Sequence, residues 1–241
     1  MDAVMGIAMV VGIAPALALM FLGVRNYTYP RVEQPFFSDP TFFMLFVVGL
    51  VEGSIVFVAM RILNAASSII LMVLLAVIQI LAMVLVMNLR RFRGKSDSVF
   101  YGFALGLGNS CGFATGFCFL IYGALTDMDV SIGPSFAVLV LLSVSMSLIM
   151  GACGTNVGEG IARHRVMEFA LQALLPMVAY DMLLCGAILN GDSLLFYAFM
   201  VLMLVLGGLY YFYIMQRKLP NIVREVLLME GKKRGDIPKS K

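Results

Sequence analysis

The chain has 241 residues, 61% of them hydrophobic and 13% charged, with a net charge of +3 and a mean hydropathy of +0.98. Water-soluble domains carry about 25% charged residues, so this composition excludes a soluble globular protein and leaves a polytopic membrane protein. The small positive balance asks for no nucleic-acid partner; the lipid bilayer is the expected one.

Seven apolar stretches follow in chain order, at roughly 3–24, 41–60, 69–88, 99–124, 132–153, 167–189 and 194–215. Each is near the length that a tilted helix needs to cross the hydrocarbon. The expected fold is an all-α transmembrane bundle of about seven spans over 1–218, with a basic tail at 219–241. The first stretch has no basic leader and no clear small-residue cleavage site, so it reads as a span and not as a signal peptide. With seven spans, Arg61 stands alone on one face and the other sixteen Lys and Arg residues share the opposite face. The positive-inside rule then places the N-terminus outside and the basic loops and C-terminus in the cytoplasm of a cell-membrane protein.

Span 1 contains Pro15 and leads into RNYTYPRVEQPFFSDP, whose prolines and aromatics predict an ordered loop lying at the interface. Span 2 carries Gly49-x-x-x-Gly53 with Glu52 beside it. Span 3 is apolar apart from Gln79 and ends at the basic run 90–95. Span 4 lies within Asp97–Asp127 and holds two rows of small residues, Gly102, Gly106, Ser110, Ala114 and Gly108, Gly112, Gly116, a glycine-zipper pattern. A glycine costs a helix about 1 kcal/mol against alanine. In a bilayer, that cost is accepted where another helix lies backbone to backbone. Span 5 repeats the theme with Ser143, Ser147, Gly151, Thr155 and with Gly154, Gly158, so it is the expected partner of span 4 at the bundle centre. Its helix is expected to run on through Asn156 and Glu159 to His164. Span 6 has Glu168, Gln172, a kink expected at Pro176, then Tyr180 and Asp181. Span 7 ends in the aromatic belt Tyr210, Tyr211, Tyr213. In the tail, Asn221 is a candidate cap for a short helix whose Ile222, Val223, Val226 and Leu227 form one apolar face. That helix is expected to lie on the membrane surface, with the chain after it frayed.

The residues that could carry chemistry are few. Glu52 sits near the centre of a span, where a carboxylate costs about 2.5–3.5 kcal/mol to insert. It is either a proton- or ion-binding group or a protonated acid bonded to a neighbouring helix. Asp181, with Tyr180 beside it, poses the same question. Asn109 and Gln79 are amides that either line a cavity or join helices. Glu159 and Glu168 lie near the basic ends of spans 5 and 6, within reach of Arg163 and Arg165. His164, the sole histidine, is flanked by those two arginines, which oppose metal binding. Cys111, Cys118, Cys153 and Cys185 all fall inside spans without a C-x-x-C pair and read as small hydrophobes. No hydrolase motif, phosphate-binding loop or zinc-ligand set is present, so no catalytic residue, metal or cofactor is assigned.

Ala14-Pro15, Tyr29-Pro30, Glu33-Gln34-Pro35, the basic run 90–95 and Asp97-Ser-Val-Phe-Tyr-Gly-Phe-Ala-Leu-Gly-Leu-Gly108 together resemble the PrsW branch of the CPBP-like intramembrane metalloproteases. The likeness spans roughly residues 13–190. The catalytic residues of that family do not carry over. Its Glu-Glu pair falls on Ala76-Val77-Ile78-Gln79, its Glu-Asn segment is replaced by Asn109 to Ala114, and its histidines would fall near Ser143 to Ser147 and near Tyr180. The resemblance therefore implies a pseudoprotease: a protease-like fold that binds a membrane-protein or lipid partner without cleaving it. Two other readings stand beside it. One is a small ion- or proton-coupled transporter using Glu52, Asn109 and Asp181. The other is an active membrane protease with a rearranged site built from Glu52, Glu159, Glu168 and Asp181.

Overall fold

A computed structural model describes residues 2–127, 132–191, 194–232, 234 and 237–238 of the chain, with side chains described within 5–121 and from 136 onward. The connections expected at 125–131 and 190–193 lie partly outside these residues, as does half of the tail expected to fray. The regular structure of the described residues is helical, without a strand. The helices are α1 (Asp2–Val24), α2 (Asp39–Ile62), α3 (Ile69–Met87), α4 (Asp97–Asp127), α5 (Ile132–Ala162), α6 (Val166–Asn190), α7 (Leu194–Phe212) and α8 (Leu219–Met229). Seven of them are long and apolar enough to cross a membrane.

The arrangement follows from where side chains are small. α4 is the least hydropathic and the most deeply buried of the seven. It packs most extensively against both α2 and α5, with α1 crossing α4 and α5, α3 set against α6, and α7 closing over α5 and α6. On the α2 side, a methyl group placed at Gly49 would lie 2.1 Å from the Leu105 carbonyl oxygen, and one at Gly53 would lie 2.0 Å from that of Asn109. From the other direction, Gly108 and Gly112 face the Phe46 and Leu50 carbonyls at 2.0 and 2.1 Å. On the α5 side, Gly102 and Gly106 meet the Gly154 and Met150 carbonyls at 2.2 Å, and Gly158 meets that of Ser98 at 2.3 Å. The two glycine rows thus serve two different neighbours. Lipid supplies no hydrophobic drive between helices, so dispersion at such close approach holds these seams. Gly116 and Gly151 lie against side chains instead, Phe57 for the first and Leu107 with Phe103 for the second.

Other details differ from the sequence expectation. α5 ends at Ala162, short of His164, because His164 adopts a left-handed φ of 57° that reverses the chain. The loop after α1 is folded into the protein: Tyr27, Val32, Phe36 and Phe37 are buried, and Tyr27, Phe36 and Phe37 pack their rings on Phe100 of α4. α7 passes without a break through a π-helical turn, Tyr213–Lys218, into α8. Asn221 accordingly lies inside α8 and not at its cap, since a continuous helical chain leaves no free amides there. The apolar face of α8, Ile222, Val223, Val226 and Leu227, is buried in the protein core and not laid on a membrane surface. Beyond α8, Glu230 accepts a hydrogen bond from the Ser96 amide just ahead of α4, and Lys232 pairs with Glu230 at 2.7 Å. Arg234 donates to the Gln34 carbonyl at 2.6 Å and stacks 3.9 Å from the Phe36 ring. The tail is strapped across the basic end of the bundle.

Candidate functional site

The close seam between α2 and α4 positions the two polar residues at its middle. Gly53 lets the α4 backbone at Asn109 come into contact, and Glu52, one residue back, reaches alongside. The Asn109 Nδ2 donates to Glu52 Oε1 at 3.0 Å. Asn109 is wholly buried, and Glu52 is half-buried at the edge of the seam. The remaining oxygens of the pair, Glu52 Oε2 and Asn109 Oδ1, are both buried without a hydrogen-bond partner. Two acceptors without donors in a low-dielectric interior are costly unless a proton, a cation or a buried water satisfies them.

A row of polar contacts continues from this pair across the bundle. Ser110, next to Asn109, donates to the Leu107 carbonyl at 2.7 Å and lies 3.2 Å from Ser147 of α5. Two residues before Ser147, Ser145 bonds the Tyr180 hydroxyl of α6 at 2.8 Å. Asp181 follows, 1% exposed, with Oδ2 unpartnered and with Tyr180 and Cys153 as its electrostatic neighbours. Ser143 donates to the Gly12 carbonyl of α1 at 3.3 Å. Glu52 and Asn109 are therefore brought together, while no hydrogen bond or ion pair among the described residues joins Asp181 to them. Gln79 is 1% exposed on α3, with both amide atoms unpartnered.

Glu159 belongs to a second cluster near the basic end. It pairs with Arg163 at 2.8 Å, and Arg163 reaches Glu225 of α8 at 2.7 Å. Asn156 donates to Tyr210 at 3.2 Å, so this belt tyrosine serves an interior amide. Glu168 pairs with Arg165 at 2.5 Å on the surface. Glu52, Glu159, Glu168 and Asp181 do not converge, and no group of three His, Cys, Asp or Glu residues suited to a metal ion is found among the described residues. The serines and Tyr210 were visible in the sequence only as small or belt residues. Their partners depend on helix rotation, which a single sequence leaves open.

A shallow apolar groove of about 340 Å³ opens between α1, α2 and α4, lined by Met5, Met9, Phe57 and Phe119 with Ser54 and Gly112 in its floor. Fold and site together define an all-helical protein with seven candidate membrane spans and a buried carboxyl–amide pair at its central seam. No family model, curated protein or solved structure matches the chain.

Proposed function

We propose that this multi-pass membrane protein is a small proton- or cation-coupled carrier, with the Glu52–Asn109 pair as its binding centre and its basic end in the cytoplasm. The observation that carries this reading is the pair of buried, unpartnered oxygens, Glu52 Oε2 and Asn109 Oδ1, in a seam held to backbone contact by Gly49 and Gly53. A proton on Glu52, or a small monovalent cation, satisfies what the protein leaves open. Intramembrane acids that face a bundle interior mark ion and proton pathways. Asp181, across the polar row, is a second protonatable group.

The PrsW-type resemblance supports a second reading: a non-catalytic relative that holds a membrane-protein or lipid partner. Its specific support is the apolar groove lined by Ser54 and Gly112 beside the same seam. One experiment separates the two. Purified protein in proteoliposomes is assayed for proton and monovalent-cation flux, with Glu52→Gln as the comparison. The carrier reading expects flux that falls at least tenfold in the variant. Flux unchanged by the substitution, or no flux from the unaltered protein, overturns it; the second outcome leaves the partner-holding reading.

A further inference from the structure

At the basic end, a cleft of about 320 Å³ lies between the end of α1 and the turn that joins α7 to α8. Leu19 and Leu22 form its apolar wall, Arg25, Asn26 and Gln216 its polar mouth, and Pro238 of the strapped tail one rim. Leu22 and Arg25 are both exposed, so the cleft's apolar and cationic lining residues reach the protein surface. Among the described residues, no side-chain hydrogen bond or ion pair engages Arg25. Several arginines of this end are engaged: Arg163 is paired with Glu159 and Glu225, Arg91 donates to Thr41 at 2.7 Å, and Arg31 is held by Asn26. Arg90, Arg217 and Arg224 resemble Arg25 in having no such partner among the described residues, but of these four only Arg25 lines the cleft.

A second observation marks the same place. The π-helical turn Tyr213–Lys218 contributes Met215 and Gln216 to the cleft. Such turns widen a helix by one residue and are retained mostly at functional positions. Here the wider turn carries Gln216 at the mouth while Met215 stays buried against Gly23 of α1. A free guanidinium with amide donors above an apolar wall is complementary to a phosphate monoester or diester carrying a hydrocarbon chain. We propose that this cleft is a binding site for a phosphate-headgroup lipid of the leaflet at the basic end. The phosphate sits on Arg25, Asn26 and Gln216, and an acyl chain runs along Leu22 and Leu19.

The test uses the full chain, delipidated in detergent, with native mass spectrometry as the readout. The probes are phosphatidylglycerol, phosphatidylcholine and water-soluble glycerol phosphate. The expected result is retention of phosphatidylglycerol, weakened about tenfold in Arg25→Gln and further in Gln216→Glu, which adds a negative charge at the mouth. Arg217→Gln, a basic residue of the same end that does not line the cleft, is expected to bind like the unaltered protein. Equal weakening by Arg217→Gln and Arg25→Gln overturns the proposal, because attraction to the basic end in general then explains the binding. Displacement of the lipid by equimolar glycerol phosphate overturns the lipid assignment, since the chain then contributes nothing. Arg25, Gln216 and Arg217 are all exposed, so the variants are expected to fold.

Discussion

Replacing Gly53 with alanine places a methyl carbon 2.0 Å from the carbonyl oxygen of Asn109, with the carbonyl carbon at 2.8 Å and Cα at 3.0 Å. All three are backbone atoms, so no side chain can swing aside. Ordinary contact begins near 3.4 Å, and restoring it parts α2 from α4 by about 1.4 Å at this level. Extra methyls in a packed interior cost about 1–3 kcal/mol where side chains can adjust. A backbone-to-backbone clash belongs at or above the top of that range. The same displacement stretches the Asn109–Glu52 hydrogen bond from its 3.0 Å and removes the contact that positions the pair. Gly208 is the matched control: it lies in α7 with nothing within 4 Å of the new methyl. Alanine there relieves the helix of a glycine and is neutral or stabilising by up to about 1 kcal/mol. Thermal unfolding of both variants in the same detergent, followed by the soluble fraction after heating, compares them directly. A Gly53→Ala midpoint several degrees below the unaltered protein, with Gly208→Ala at or above it, is the expected outcome. If the two variants melt together, the close seam between α2 and α4 is wrong.

Further outcomes follow from contacts elsewhere. Tyr180→Phe removes the 2.8 Å contact with Ser145 between α5 and α6. Hydrogen bonds between membrane helices average about 0.6 kcal/mol with a ceiling near about 1.7, so a small loss of thermal stability is expected, and a loss beyond that ceiling refutes a simple pairwise role. The tail strap is expected to loosen on acidification. Partial burial works against the charge on Glu230, but the Lys232 ammonium and the Ser96 amide outweigh it and hold the carboxyl below its ordinary range. A depressed carboxyl stabilises the folded state above its unfolded-chain value and loses that contribution as pH falls through the folded one. Lys232, raised by the same pair, gives up its share only as pH climbs through its own folded value. Proteolytic cutting at Lys232 should therefore rise as pH drops through the acid range, and Glu230→Gln should cut readily at every pH; an identical pH profile in the variant refutes the strap's electrostatic origin.

The spans were readable because twenty apolar residues in a row admit one interpretation in a bilayer, whatever their neighbours. The glycine rows of Asp97–Asp127 were readable as close-packing surfaces, yet sequence alone named only α5 as a partner. The second row faces α2, and the signal for it was Gly49-x-x-x-Gly53, whose spacing matches but whose rotation about the helix axis no sequence fixes. The transporter reading grouped Glu52, Asn109 and Asp181; that Glu52 and Asn109 meet while no bond joins Asp181 to them rests on the same rotation. In the tail, the apolar face of α8 was legible and its destination was not, since one such face fits a bilayer surface and a protein surface equally. The π-helical turn has no propensity signature in YIMQRK and emerges from packing alone.

The two-sided packing of α4 also dictates an order of assembly. Its glycine surfaces leave main-chain carbonyls thinly covered, and it is the least hydropathic of the spans. Alone in lipid it is a poor membrane segment. During synthesis α2 is already in place when α4 arrives, so that seam can close at once, with Asn109 meeting Glu52 as it does. The opposite face stays uncovered until α5 follows. In a bilayer, the interval between the emergence of α4 and of α5 would leave the second glycine surface without the helix it is shaped to meet.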